Sequence, residues 1–189
     1  VENENHPSGE KEMKRIFWIV PAILLLSISA RAQESITPAW EVSGGYSYLD
    51  ANLGHSSFRL NGATATATEN LNSVFGGRVE VSVFHGTEAG TTVSAQTVTY
   101  GPVFSYRRFD AFTPFAHVQL GAIHASQGYL GISQSAIKFA ATAGGGIDVH
   151  VTKMFSVRLQ ADYMLTRFLS LNQNNLLANV ELVYRFGKK

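Results

Sequence analysis

Apolar and polar residues alternate along most of this chain from residue 40 onwards, and the alternation is cleanest over residues 178–186. Ala178, Val180, Leu182, Tyr184 and Phe186 share one parity there, and Asn179, Glu181, Val183 and Arg185 the other. Successive side chains of a β-strand point to opposite faces, so this run has one apolar wall ending in two aromatics and one mostly polar, charged wall. Residues 155–168 repeat the pattern, with Phe155, Val157, Leu159, Ala161, Tyr163 and Leu165 set against Ser156, Arg158, Gln160, Asp162 and Thr166. The same period of two predicts strands over 40–49, 60–68, 75–84, 96–107, 114–124 and 138–150. In residues 60–68, alanines alternate with threonines, which would also suit a low-complexity linker; the strict alternation between better strands favours a strand. Pro102 cannot donate to a ladder, so its strand accommodates it only at a bulge or near a rim.

The count is eight, and the connections differ in length. Those near 70–72, 110–113 and 152–154 are short; those at 50–58, 85–93 and 126–135 are longer, and 170–175 is intermediate. An even number of strands joined alternately by short turns and longer loops is the plan of bacterial outer-membrane barrels. The expected fold is therefore all-β: an eight-stranded antiparallel up-and-down transmembrane β-barrel. A closed sheet satisfies every backbone N–H and C=O internally, as lipid demands.

Alternation alone does not say which face points inward, and composition breaks the tie. Charged residues make up 15% of the chain, against roughly 25% in typical soluble domains. Beyond residue 32 the only lysines are Lys138, Lys153, Lys188 and Lys189, whereas a soluble barrel would spread many over its exterior. The polar parity carries Glu41, Arg78, Glu80, Arg107, Asp148, Arg158, Asp162, Glu181 and Arg185 among glycine and serine. Opposite charges removed from bulk water must pair, and small residues suit the cramped interior of eight strands. These nine are read as a lumen charge network that plugs the barrel. The apolar wall then faces lipid, with Trp40, Tyr46, Tyr48, Tyr100, Tyr106, Tyr163, Tyr184 and Phe186 as interfacial anchors. The inverse arrangement, a secreted soluble lipocalin-like binding barrel, would bury that wall around a ligand.

The front of the chain reads differently. Residues 1–12 are polar and are expected to be a disordered extension from an over-long gene model, with Met13 as the natural start. Lys14-Arg15, the apolar run 16–28 and Ala30-Arg31-Ala32 form a signal peptide over 13–32. Cleavage near Ala32 would leave 33–189 as the barrel. The formal net charge of +1 carries no basic footprint for nucleic acid. The absence of cysteine removes disulfides and thiol chemistry.

The segments TPFAHVQLGA (113–122), FAATAGGGIDV (139–149), VRLQADYMLTRF (157–168) and LVYRFGKK (182–189) resemble the small outer-membrane β-barrel family of the OmpA-like, porin-superfamily type. Gly44-Gly45-Tyr46-Ser47-Tyr48, and Gly101-Pro102 followed by Tyr106-Arg107, fit the same resemblance. It implies residence in the cell outer membrane among its lipids, insertion by the outer-membrane assembly machinery, and no cofactor. The run Val180-x-Leu182-x-Tyr184-x-Phe186 looks like the assembly signal of such barrels, although Gly187-Lys188-Lys189 follow it.

Some barrels of this kind are lipid A deacylases with a His-x-Ser pair on the lipid-facing wall, and His124-Ala125-Ser126 has that spacing. A serine nucleophile needs a base and a group that orients it, and the following strand offers no carboxylate of the same parity. His55, His85, His117, His124 and His150 scatter without ligand spacing, so no metal site is expected. Gly144-Gly145-Gly146 lacks the Lys-Ser/Thr and the helix of a phosphate loop. A small diffusion pore remains the other alternative, although wide aqueous channels need about 16 strands. The expected function is non-enzymatic: a plugged barrel with a structural or adhesive role through surface loops whose ligand the composition does not name.

Overall fold

The computed structural model describes residues 37–52, 57–88, 91–129, 132–168 and 171–189, and the structural statements below concern these. The expected extension at 1–12 and the signal segment at 13–32 lie outside them. Valine, threonine and aromatic residues, which suit a pleated, half-buried surface, build eight strands: β1 (Trp40–Asn52), β2 (Ser57–Asn70), β3 (Phe75–Glu88), β4 (Thr91–Ser105), β5 (Phe112–Tyr129), β6 (Ile132–His150), β7 (Phe155–Phe168) and β8 (Leu171–Phe186). Each pairs antiparallel with its neighbours in sequence, and β1 pairs with β8, so the sheet is a closed barrel without edges. Among the described residues no helix is long and apolar enough to cross a membrane.

The register is constant along every pair. From Leu49, paired residues lead round the barrel through Leu177, Asp162, Gly144, His117, Val103, Gly76 and Asn70. Asn70 N then donates to Ala39 O at 2.9 Å. The circuit therefore closes on Ala39, just before β1 and ten residues below its start at Leu49, and this stagger tilts the strands. Pro102 pairs with Gly77 on β3 but interrupts the ladder to β5, which resumes at Val103↔His117 in the register of Tyr100↔Leu120. No bulge forms; Pro102 lies near the rim, close to the base end of β4 at Ser105, where the missing donor costs only local pairing.

Strand boundaries depart most from the sequence expectation at one end. Residues 50–52, 85–88, 91–93, 126–129, 132–135 and 171–175 were expected in loops, and all lie in strands. The hairpins β1–β2, β3–β4, β5–β6 and β7–β8 thus rise as paired ribbons. At the opposite end, called the base here, tight turns recur. Asn72 Oδ1 accepts from Val74 N and Phe75 N at 2.9 and 2.8 Å. Thr152 Oγ1 accepts from Met154 N and Phe155 N at 3.2 and 2.9 Å. Both are side-chain turns of the kind Asn and Thr favour.

Candidate functional site

The outer wall is apolar. Val79, Val81, Val98, Leu120, Phe139, Leu159, Val180 and Leu182 are all exposed, and Leu120 shows 57% of its surface. A continuous belt of this size cannot face water in a monomer, whereas lipid suits it. At the base the belt ends in aromatics. Phe75 packs on Phe104, Tyr106 on Phe109, and Tyr184 between Phe155 and Phe186. Of the expected anchors, Trp40, Tyr46, Tyr100, Tyr106, Tyr163 and Phe186 are exposed, while Tyr48 and Tyr184 are half-buried. Tyr106 lies just beyond β4 rather than within it.

The inward face near the base is a network of charges. Arg158 donates through Nε and Nη2 to both oxygens of Asp148 at 2.7 and 2.8 Å, and through Nη2 to Glu41 at 3.3 Å. Arg107 Nη2 donates to Glu41 Oε1 and to Asn70 Oδ1, each at 2.8 Å. One carboxylate, Glu41, thereby joins β1 to β7 and to the turn after β4. Arg78 makes no direct ion pair among the described residues; it donates to Thr68 Oγ1 at 3.0 Å and Gln160 Oε1 at 3.2 Å. Gln160 Nε2 in turn donates to Glu80 at 3.1 Å and Asp162 at 2.6 Å. Glu181 accepts from Ser43. His117 Nε2 and Asp162 Oδ1 stand 3.0 Å apart, close enough for an ion pair but out of line for a hydrogen bond. Both sit beside Gly144, where a Cβ would come within 2.0 Å of Asp162 Oδ1.

An aromatic ring organises this layer. The guanidinium carbons of Arg78 and Arg158 lie 4.6 and 4.7 Å from the Phe115 centroid, a cation–π arrangement favoured away from water. Phe115 is buried, with inward parity beside His117 and Gln119, and sequence reasoning missed it. The signal was present: one bulky aromatic on an otherwise polar face. Gln119 was also missed as a network member; it accepts from Thr99 and Thr142 at 3.2 and 3.3 Å.

Above this network the same inward face becomes apolar. Along β3 the inward sequence is Arg78, Glu80, Ser82 and then Phe84; along β7 it is Arg158, Gln160, Asp162 and then Met164; along β8 it is Glu181, Asn179 and then Leu177. Leu49, Leu60, Phe84, Val93, Ala95, Ile123, Ala140, Met164 and Leu177 form one buried cluster across the lumen. Asn175, donating to Thr166 Oγ1 at 3.1 Å, follows on its hairpin side.

Two of the nine charges expected in the lumen are placed differently. Arg107 belongs to the turn after β4 and reaches in across the mouth. Arg185 is half-buried at the base and donates to Thr152 O at 3.1 Å instead of meeting a carboxylate. Glu41, Arg78, Glu80, Asp148, Arg158, Asp162 and Glu181 are buried inside.

His124 is exposed on the outer wall, opposite Gln96 and Ile137; Ser126 is half-buried, opposite Ser94 and Ser135. None of these neighbours is a carboxylate. His85 Nδ1 and Ser94 Oγ are 2.9 Å apart on the same wall, a pair the sequence reading did not single out. Of the other histidines, His55 lies outside the described residues and His150 bonds Thr113 and Asp110 O at the base. Among the described residues no group of three or more His, Asp or Glu could hold a metal ion.

Solved structures with the same architecture are outer-membrane proteins. Neisserial surface protein A superposes with a TM-score of 0.70 at 12% identity, covering 78% of this chain and 97% of that one. Ail, the attachment invasion locus protein of Yersinia pestis, gives 0.57 at 17% identity over 79% and 100%. Outer membrane protein OprG of Pseudomonas aeruginosa gives 0.55 at 10% identity over 82% and 99%. No curated protein matches the sequence. The model of the outer membrane protein β-barrel domain matches residues 20–186. With that match spanning most of the sequence, and with a closed eight-stranded barrel whose outer wall is apolar, the chain belongs to the outer membrane protein β-barrel domain family and resides in the cell outer membrane.

Proposed function

We propose that this protein is a structural and adhesive barrel: its lumen is plugged against ions, and its work is done by the surface hairpins. The observation that carries the reading is the stacking of a packed apolar layer on a paired charge network inside one lumen. An ion crossing it would lose its hydration among Leu49, Phe84 and Leu177, where no polar group replaces water. Eight strands leave an interior that side chains fill.

In barrels of this family short turns face the periplasm and the longer connections face outward, which makes the base periplasmic and the paired ribbons external. The ribbons carry exposed Arg59, Asn61, His85, Thr87 and His124, a polar rim fitted to contact molecules outside the cell. The likeness to Ail, by name an attachment protein, agrees with that role. Insertion by the assembly machinery is supported by β8, whose Val180, Leu182 and Phe186 are exposed on the lipid side. The His124/Ser126 pair is read as non-catalytic because no acid orients it.

Purified barrel in planar bilayers tests the plug. No sustained unitary current is expected, and a steady one would make the protein a pore. For the enzymatic alternative, cells carrying His124→Ala should show the same lipid A mass spectrum as cells with the native protein.

A further inference from the structure

Where the charge network meets the apolar layer, four side chains from three adjacent strands leave polar atoms unanswered. Ser47 on β1 lies directly opposite Asn179 on β8, two residues before Glu181 on the same face; Asp162 on β7 is diagonal to Asn179. All four are buried, none more than 2% exposed. Ser47 Oγ, Asn179 Oδ1 and Nδ2, and Glu181 Oε1 have no hydrogen-bond partner. The carboxylates are held by their other oxygens: Ser43 donates to Glu181 Oε2, and Gln160 Nε2 donates to Asp162 Oδ2 at 2.6 Å. Asp162 Oδ1 has only the out-of-line approach of His117.

Charge points the same way as the orphaned oxygens. The guanidinium of Arg158 serves Asp148 and Glu41, and that of Arg107 serves Glu41. Among the described residues Glu80 and Glu181 form no ion pair, and the imidazole of His117 is the sole cationic candidate beside Asp162. With Arg78, which forms no ion pair among the described residues, three guanidiniums face the five buried carboxylates Glu41, Glu80, Asp148, Asp162 and Glu181, so the inward face holds more carboxylate than guanidinium. Buried negative charge without a counterion is costly, and buried polar atoms without partners ordinarily mark an ordered water or ion.

We infer that Glu181 Oε1, Asn179 Oδ1 and Ser47 Oγ, with Asp162 beside them, bind a small monovalent cation of the sodium class inside the lumen. Oxygen donors suit a hard cation. The two carboxylates, Glu181 and Asp162, are each already held through their other oxygen, which leaves fewer free oxygens than the six to eight that calcium takes. The site lies on the base side of Leu49 and Leu177, each two residues further along its strand.

The test uses the refolded barrel in detergent, with urea unfolding in sodium chloride and in N-methyl-D-glucamine chloride at equal ionic strength. The midpoint is expected to be higher in sodium, and the difference to vanish in Asn179→Leu and in Glu181→Gln. Should those variants fail to fold, Ser47→Ala removes one neutral ligand and is expected to shrink the difference. Coincident midpoints for the native protein would overturn the site, leaving water as its occupant. A sodium effect that survives every one of these substitutions would overturn its location. Crystals soaked in rubidium chloride should give an anomalous peak between Ser47 and Glu181, and none there would count equally against it.

Discussion

The lower and upper halves of the lumen occupy the same inward parity of the same strands, yet they hold the barrel together by opposite means. Near the base, Arg158, Asp148 and Glu41 are fixed by directional bonds, so each partner matters because of what its loss leaves behind. Further up, Leu49, Leu60, Phe84, Met164 and Leu177 are joined by packing alone, where each side chain matters in proportion to the volume it fills. A buried ion pair adds little net stability over an apolar pair, but breaking one is expensive. An apolar layer both stabilises and excludes water. In the proposed plug, the polar half fixes which strands face which and the apolar half is the seal.

Substitutions can separate the two halves. The largest loss is expected for Arg158→Ala, which strands Asp148 and Glu41 and should cost about 3–5 kcal/mol in urea unfolding. Leu177→Ala should cost about 2–5 kcal/mol by opening a cavity in the apolar layer. The two sites share no partner, so the double variant should be additive within about 0.5 kcal/mol; strong coupling would mean that the lumen is one unit. Phe115→Leu keeps the bulk but loses two cation–π contacts of about 0.5–2 kcal/mol each, and should weaken the lower half alone. Lys153→Ala, in an exposed turn, should stay within about 0.5 kcal/mol of native. If Arg158→Ala and Lys153→Ala unfolded at the same urea concentration, pairing in the lumen would lose its support.

How legible each half was in the sequence follows from what lies outside it. Residues 155–168 and the lower part of β8 were read correctly because lipid on one side and a polar lumen on the other force the alternation. On the hairpin ribbons Thr91, Thr92, Ser133 and Ser135 offer no hydrophobic contrast in the sequence and read as loop. The inward parity of Leu49, Leu60 and Phe84 was visible, but each stood at the edge of an expected strand and revealed no layer. Phe115 and Gln119 escaped because their roles depend on Arg78, Arg158, Thr99 and Thr142 from other strands. Arg107 was assigned to a strand because its parity fitted; its reach to Glu41 comes from the turn.

The absence of cysteine makes one measurement direct. Thr99→Cys would place a thiol below the apolar layer, and Arg59→Cys one on the exposed ribbon. A charged, membrane-impermeant thiol reagent would then be added to intact cells. A lumen sealed from outside predicts labelling at position 59 and none at 99; labelling at 99 at a comparable rate would show that water and ions pass the apolar layer, and the sealed barrel would be wrong.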